Sequence, residues 1–274
     1  MGVRCVMDAE VMRRRMAQAG YWLCVGGGGS FESETVSLLS AMTTQPTDLR
    51  KSQINTLIVS LKAAGVWSKL GVLYVFAAAA AQAALLNWKN PSGTAALATN
   101  SPTFTVDRGY SGDGVSAFID TQISWSAVPG VSQNDAHIGA YVSAGNAAAN
   151  FAGNSGAALL RLTRTAGGLL VTRVNDGTDT TSDSVPATAG THLVASRSAS
   201  GGYARYIDGT AGTASVVAST GVGTGTLVGL RSGGTYGAST TSLRALHAGS
   251  NLTAAEVLAV RSALQTYMAA VGAS

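Results

Sequence analysis

Cysteine is nearly missing: Cys5 and Cys24 are the only two among 274 residues. That number excludes a disulfide framework, and their spacing matches no zinc site. Charge is equally thin, with Asp, Glu, Lys and Arg making up 12% of the chain where about a quarter is usual. Ser, Thr, Asn, Gly and Ala, dense after residue 90, must cover the surface instead. Few charges and 46% hydrophobic residues are the reverse of a disordered composition. No lysine follows Lys89, and residues 71–252 contain no glutamate at all. With nine basic and eight acidic groups, that long segment is almost neutral. It shows no basic stripe, so no nucleic-acid partner is expected. The net charge of +4 comes largely from the N-terminal part, including Arg13-Arg14-Arg15, which reads as a solvated helix face. Long apolar runs are also lacking. The longest, Leu70–Leu86, falls short of the ~20 residues of a membrane span, and its many alanines contribute little hydrophobicity. It reads as a buried strand running into a short helix, without membrane insertion. The segment YWLCV is too short for a signal-peptide core, and MGVRCV lacks a myristoylation hydroxyl.

What is present divides the chain in two. The N-terminal part reads helical, with helices over Asp8–Gln18 and Glu32–Met42 and a glycine joint at Gly26–Ser30. A third helix starts at Thr47, a capping residue, and ends at Gly65, where a left-handed residue is wanted. Leu49, Ile54, Leu57, Ile58 and Leu61 recur on one face of it. From about residue 71, short alternating segments replace the helical period. Val115–Ile119, Leu160–Arg164, Leu170–Val174, His192–Ser196, Tyr203–Ile207, Thr226–Arg231 and Leu243–Ala248 are separated by glycine-containing turns. Many short strands with no long helix between them predict an antiparallel sandwich. The end is helical again. Thr253-Ala-Ala-Glu256 is a capping box, followed by the apolar stripe Val257, Leu258, Val260, Leu264, Tyr267 and Met268. This helix should pack on the sandwich.

Several separated blocks carry a resemblance. Leu57-Ile-Val-Ser-Leu-Lys-Ala-Ala-Gly-Val-Trp-Ser-Lys-Leu70, Leu73-Tyr-Val-Phe-Ala77, Asn87-Trp-Lys89 and Asn100-Ser-Pro-Thr-Phe-Thr105 are four of them. Asp107-Arg-Gly-Tyr-Ser-Gly-Asp-Gly114, Thr191-His-Leu-Val-Ala-Ser-Arg-Ser198 and Ala248-Gly-Ser-Asn-Leu-Thr-Ala-Ala-Glu256 complete the set. They resemble tailed-bacteriophage virion proteins that carry a concanavalin A-like (laminin-G-like) jelly-roll domain. The resemblance covers roughly residues 49–272 and implies a mainly β, antiparallel jelly-roll sandwich with an N-terminal helical segment and a C-terminal helix. The expected division is 1–70, an attachment or connector segment, and 71–274, the jelly roll with its helix. The implied setting is the surface of a phage particle, in a tail fibre, spike, baseplate or head appendage. Implied partners are other virion proteins through residues 1–70, further copies of the chain (fibres and spikes are commonly trimers) and a host-surface glycan. A purely structural decoration protein is the alternative, and a polysaccharide depolymerase the third reading.

Catalytic chemistry is not expected. Glycosidases on such sandwiches generally use two carboxylates, and the glutamates are missing. No G-x-S-x-G elbow precedes a helix. His137, His192 and His247 lie far apart in strand-like segments and read as hydrogen-bonded core histidines. No cofactor is expected. Calcium is admissible, because laminin-G-like domains sometimes bind it at a rim loop and Asp176, Asp179 and Asp183 supply hard oxygens in one loop. A glycan site needs an aromatic platform with a few polar groups. Trp125, Tyr110 and Tyr236, in glycine- and serine-rich loops, are the candidate platform, with Asn175 and Asp176 as polar partners. For Trp125 the competing reading is a plug at the end of the sandwich.

Overall fold

In the computed structural model the described residues are 30–143, 148–156, 159–186, 190–233, 235–236 and 241–273. The expected helix Asp8–Gln18 and the glycines of the expected joint lie outside them. Helix α1 (Ser33–Ser40) falls within its expected range. Helix α2 (Asp48–Ala63) begins as its sequence requires: the Thr47 side chain accepts from the Arg50 N–H and Gly65 takes a left-handed φ of 70° just past the end. Ile54, Leu57, Ile58 and Leu61 are buried, whereas Leu49, in the first turn, is 62% exposed. The apolar stripe is thus one residue shorter than its spacing suggested.

The alanine-rich run does form a strand, β1 (Leu70–Val75), then a one-turn helix, α3 (Ala81–Ala84). Next come β2 (Leu97–Thr99), β3 (Thr103–Thr105), β4 (Gly109–Ser111), β5 (Phe118–Ser124), β6 (Ala136–Val142), β7 (Ala149–Asn154) and β8 (Leu160–Arg164). They are followed by β9 (Leu169–Val174), β10 (Thr180–Ser184), β11 (Thr191–Ala199), β12 (Gly202–Ile207) and β13 (Thr210–Ala211). The series ends with β14 (Thr226–Gly229), β15 (Arg231–Ser232), β16 (Thr235–Tyr236), β17 (Ser242–Gly249) and helix α4 (Ala254–Ala270). The strand expected at 115–119 starts only at Phe118. Asp113 accepts the N–H groups of Val115, Ser116 and Ala117, each at 2.8 Å, and folds those residues into a turn.

Two antiparallel sheets stack to form the core. One runs β13-β12-β11-β6-β17-β4-β3, with β1 also paired to β17; the other runs β10-β9-β8-β7-β14-β5-β2. Along β11, Leu193, Ala195 and Arg197 point toward the second sheet, and Arg197 reaches the carbonyl of Val174 on β9. His192, Val194 and Ser196 point the other way, toward α4, where Ser196 Oγ donates to the Leu252 carbonyl just before the helix. The eight-stranded sheet is therefore buried on both faces, which explains why β1 and β6 are buried along their whole lengths.

Helix α4 opens with the expected capping box between Thr253 and Glu256 and buries Val257, Val260, Leu264, Tyr267 and Met268, while Leu258 is exposed. The α2 helix packs on it. Gln53 donates to the Ala270 carbonyl at 2.9 Å, and Arg50 pairs with Asp107 at 2.8 Å. Lys69 likewise pairs with Glu256 at 2.8 Å. From Phe31 onward the chain is one compact unit, so the expected boundary at 70/71 is corrected: residues 31–70 cover the sandwich. Among the described residues no helix is long and apolar enough to cross a membrane.

Candidate functional site

Most of the expected glycan residues are interior. Trp125 is wholly buried, and its Nε1 donates to Asn175 Oδ1 at 2.7 Å. Asn175, in a left-handed conformation, completes the plug by donating through Nδ2 to the carbonyls of Ser132 and Gln133. Tyr110 packs edge-on to Phe76 with its hydroxyl on the Ala81 carbonyl. These side chains, with the buried Asp176, offer no face to a ligand, so the expected platform is corrected. The backbone of Tyr236 pairs with Arg231; its side chain lies outside the description.

The calcium set does not converge either, because each carboxylate is taken by a different arginine. Asp176 meets Arg197 at 3.1 Å, both wholly buried. Burial pushes Asp176 up, against the bonds from the Val174 and Thr178 N–H groups and from Arg197. Asp179 bridges Arg161 at 2.8 Å and Arg173 at 2.7 Å. Asp183 faces Arg205 at 3.3 Å and accepts from Thr213, and despite its partial burial these bonds hold it low. Among the described residues no group of three or more His, Cys, Asp or Glu is placed to hold a metal.

The histidines, by contrast, come together. His137 on β6, His247 on β17 and His192 on β11 form a buried chain between the eight-stranded sheet and α4. His137 Nε2 lies 3.0 Å from His247 Nδ1, and His247 Nε2 lies 2.8 Å from His192 Nε2. Gly139 makes the room: a Cβ there would overlap the His247 ring. Burial is the main cause that pushes His137 down to about 4, His192 to about 3 and His247 well below its usual value. Sealed from solvent, the trio ties β6, β17 and β11 together.

The accessible chemistry lies on the outer face of the seven-stranded sheet. Strand register aligns Thr181, Val171, Thr163 and Asn150 across β10, β9, β8 and β7, and sets Arg161 directly opposite Arg173. Two guanidiniums in that cross-strand position repel, and Asp179 relieves them by bonding both. Arg164 and Thr165 lie at one end, and the exposed Val115 of the 113–117 turn stands at the wall. Together they enclose an open depression of about 790 Å³. Its floor offers hydroxyls, an amide and guanidinium N–H groups beside small apolar patches, the mixture that hydrogen-bonds a polar ring while covering its C–H faces. The alternation Leu160-Arg-Leu-Thr-Arg164 signals in sequence that Arg161 and Thr163 share a face. Nothing local shows which strands lie beside them.

The chain matches no protein-family model and no curated protein. Solved structures do match. Trypanosoma rangeli sialidase in complex with sialic acid is 12% identical, over 79% of this chain and 39% of its own, with a TM-score of 0.52. A mutant of that sialidase displaying trans-sialidase activity gives 0.55 at the same identity and coverage. The HCR/D F1240A mutant gives 0.51 at 8% identity, over 72% of this chain and 52% of its own. The chain thus spans about two fifths of the sialidase's length, and at such identity the likeness establishes the fold. None of these is described as a phage protein. The expectation that the chain is no enzyme is overturned by the sialidase match: a glycoside hydrolase carries this fold, and sialidases depart from the two-carboxylate pattern. The missing glutamates therefore exclude no hydrolysis.

Proposed function

We propose that this protein is a glycan-binding module whose site is the depression on the outer face of the seven-stranded sheet. The observation that carries the reading is the register-aligned floor, in which Asn150, Arg161, Thr163, Val171 and Thr181 from four strands line one open groove. Because the groove is built on paired strands, its polar groups are held in place before a ligand arrives, which lowers the entropy cost of binding. The sandwich is assigned to the concanavalin A-like jelly rolls, and the setting to the surface of a phage particle, as an adhesin present in several copies. The support for both is the set of sequence blocks between residues 49 and 272. Repetition on one particle would raise a weak single-site affinity through effective concentration. Attachment to other virion proteins through the residues before the sandwich belongs to the same proposal.

A glycan array with the full chain and with Arg161→Ala and Thr163→Val tests the site. Signal on a glycan class that both substitutions abolish supports it. An unchanged signal moves the site elsewhere, and no signal on any class leaves the purely structural reading. The sialidase fold favours a second reading, hydrolysis of the bound glycan, which reducing-sugar release from the array's best ligand would reveal.

A further inference from the structure

We infer that the protein binds a doubly charged oxyanion, of the phosphate or sulfate class, between Arg244 and Arg108 on the eight-stranded sheet. This place is on the other sheet from the groove and does not rest on it. The starting point is an unbalanced charge. Arg244, on β17, is 5% exposed, and among the described residues nothing accepts a hydrogen bond from its Nε or Nη1. Arg197 and Arg205, as deeply buried, show what such a side chain ordinarily needs. Arg197 has Asp176 and five carbonyls, and Arg205 has Asp183 and the carbonyls of Leu170 and Ser182. Every carboxylate among the described residues is engaged elsewhere. Even Asp107, next to Arg108 in the chain, holds Arg50. A buried guanidinium without a counter-charge is costly, and an incoming anion would remove that cost.

Strand geometry sets the place. Between β17 and β6 the register shifts from Leu243↔Val142 to Ala245↔Tyr141, so Arg244 is the extra residue of a bulge, a device that re-aims a side chain. Its carbonyl accepts from Phe76 at 2.7 Å and Ala77 at 3.0 Å, which pins the backbone where β4 gives way to β1 along β17. Arg108 comes close because Gly109 has no side chain: a Cβ there would stand 3.2 Å from Arg244 Cα. Exposed before β4, Arg108 makes no side-chain bond among the described residues. Its Nη1 lies 4.0 Å from where a Gly272 Cβ would stand, at the C-terminal end of α4. Burial pushes the Arg244 guanidinium down, and the ionisable groups acting on it are Tyr141 and Arg108. Two guanidiniums beside a phenol hydroxyl offer N–H and O–H donors and two positive charges. Their planar forks match phosphate and sulfate oxygens, and two charges favour a dianion over a single carboxylate.

The test is calorimetry of the full chain with inorganic phosphate, sulfate, glucose 6-phosphate, acetate and chloride, all at one ionic strength so that screening is constant. Phosphate and sulfate should bind at least about tenfold tighter than acetate, and chloride should give no heat. Tighter binding of glucose 6-phosphate than of phosphate supports the site with a phosphate ester as the source; equal or weaker binding supports it with the free ion. Arg108→Gln, at the surface, should weaken phosphate about tenfold and leave the fold intact. Arg244→Met keeps the length of the side chain without its charge. It should abolish phosphate binding and, because an unpaired buried charge is removed, raise the melting temperature in buffer without oxyanions. A fall in that variant's melting temperature means that the guanidinium already has a partner within the chain and overturns the site. Phosphate heat no greater than that of chloride overturns it as well, as does phosphate binding unaltered in both variants.

Discussion

Acidification should loosen this protein well above the pH at which carboxylates titrate, because of the three buried histidines. The bonding allows a single tautomer set. His137 Nδ1–H donates to the Ser250 carbonyl, His247 Nδ1–H donates to His137 Nε2, and His192 Nε2–H donates to His247 Nε2. Each ring then holds one proton, and only His192 Nδ1 is left without a partner. An added proton on His137 or His247 would set N–H against N–H. On His192 it would bury a charge near Arg261 on α4, and around His137 the facing groups are Lys69, Asp135 and Glu256. Since the folded values lie below about 6.5, the unfolded chain takes up protons first as pH falls, and stability is lost below that pH until the folded values near 4 and 3 are reached. Between pH 7 and 5 each histidine contributes a loss of about 2 kcal/mol, so the three together reach about 6 kcal/mol, comparable with a whole domain's stability. Urea denaturation at the two pH values measures it. Glu34, Asp183 and Glu256, held low by their bonds, lose their contribution only at more acid pH. The upward push on Asp176 acts in the opposite sense, so a variant isolates the histidines. His192→Phe keeps the ring against Tyr141 and should reduce the pH slope by about a third. Stability equal within about 1 kcal/mol at pH 7 and 5, or an unaltered slope in His192→Phe, would refute the reasoning.

Other outcomes follow from the same structure. Asp176→Ala strands the Arg197 guanidinium in the interior and should cost about 3–5 kcal/mol in chemical denaturation; loss below 1 kcal/mol would mean that the carbonyls of Val174, Ala199, Ser200, Gly202 and Val217 suffice for Arg197. Trp125→Phe leaves Asn175 Oδ1 without its indole donor and should cost about 1–3 kcal/mol without altering glycan binding, which separates the plug from the groove. Gly139→Ala presses a methyl group into the His247 ring, so the melting temperature should fall and the pH slope should change. Thr253→Ala removes the capping box of α4 and should cost about 1 kcal/mol.

Much of the fold was legible because it rests on local chemistry. Period-2 alternation marks β8, β11 and β17, and Thr47, Gly65 and the Thr253–Glu256 box mark helix ends, since caps and left-handed glycines act within four residues. The turn at 113–117 was misread because one aspartate outweighed an alternating pattern. The site was far less legible. Trp125 and Tyr110 sit among glycines and serines, as a surface platform does, yet Asn175, fifty residues away in sequence, supplies the polar partner that lets Trp125 be buried.

The sequence on its own therefore determined which residues extend, which coil and which share a strand face, because those properties follow from near neighbours along the chain. Only the tertiary structure decided which strands stand side by side. That choice joined histidines from β6, β11 and β17, gave Asp176, Asp179 and Asp183 their arginines, and aligned Asn150, Thr163, Val171 and Thr181 into one floor. Strand order depends on how two whole sheets close over a common core, and no short stretch of residues carries that information.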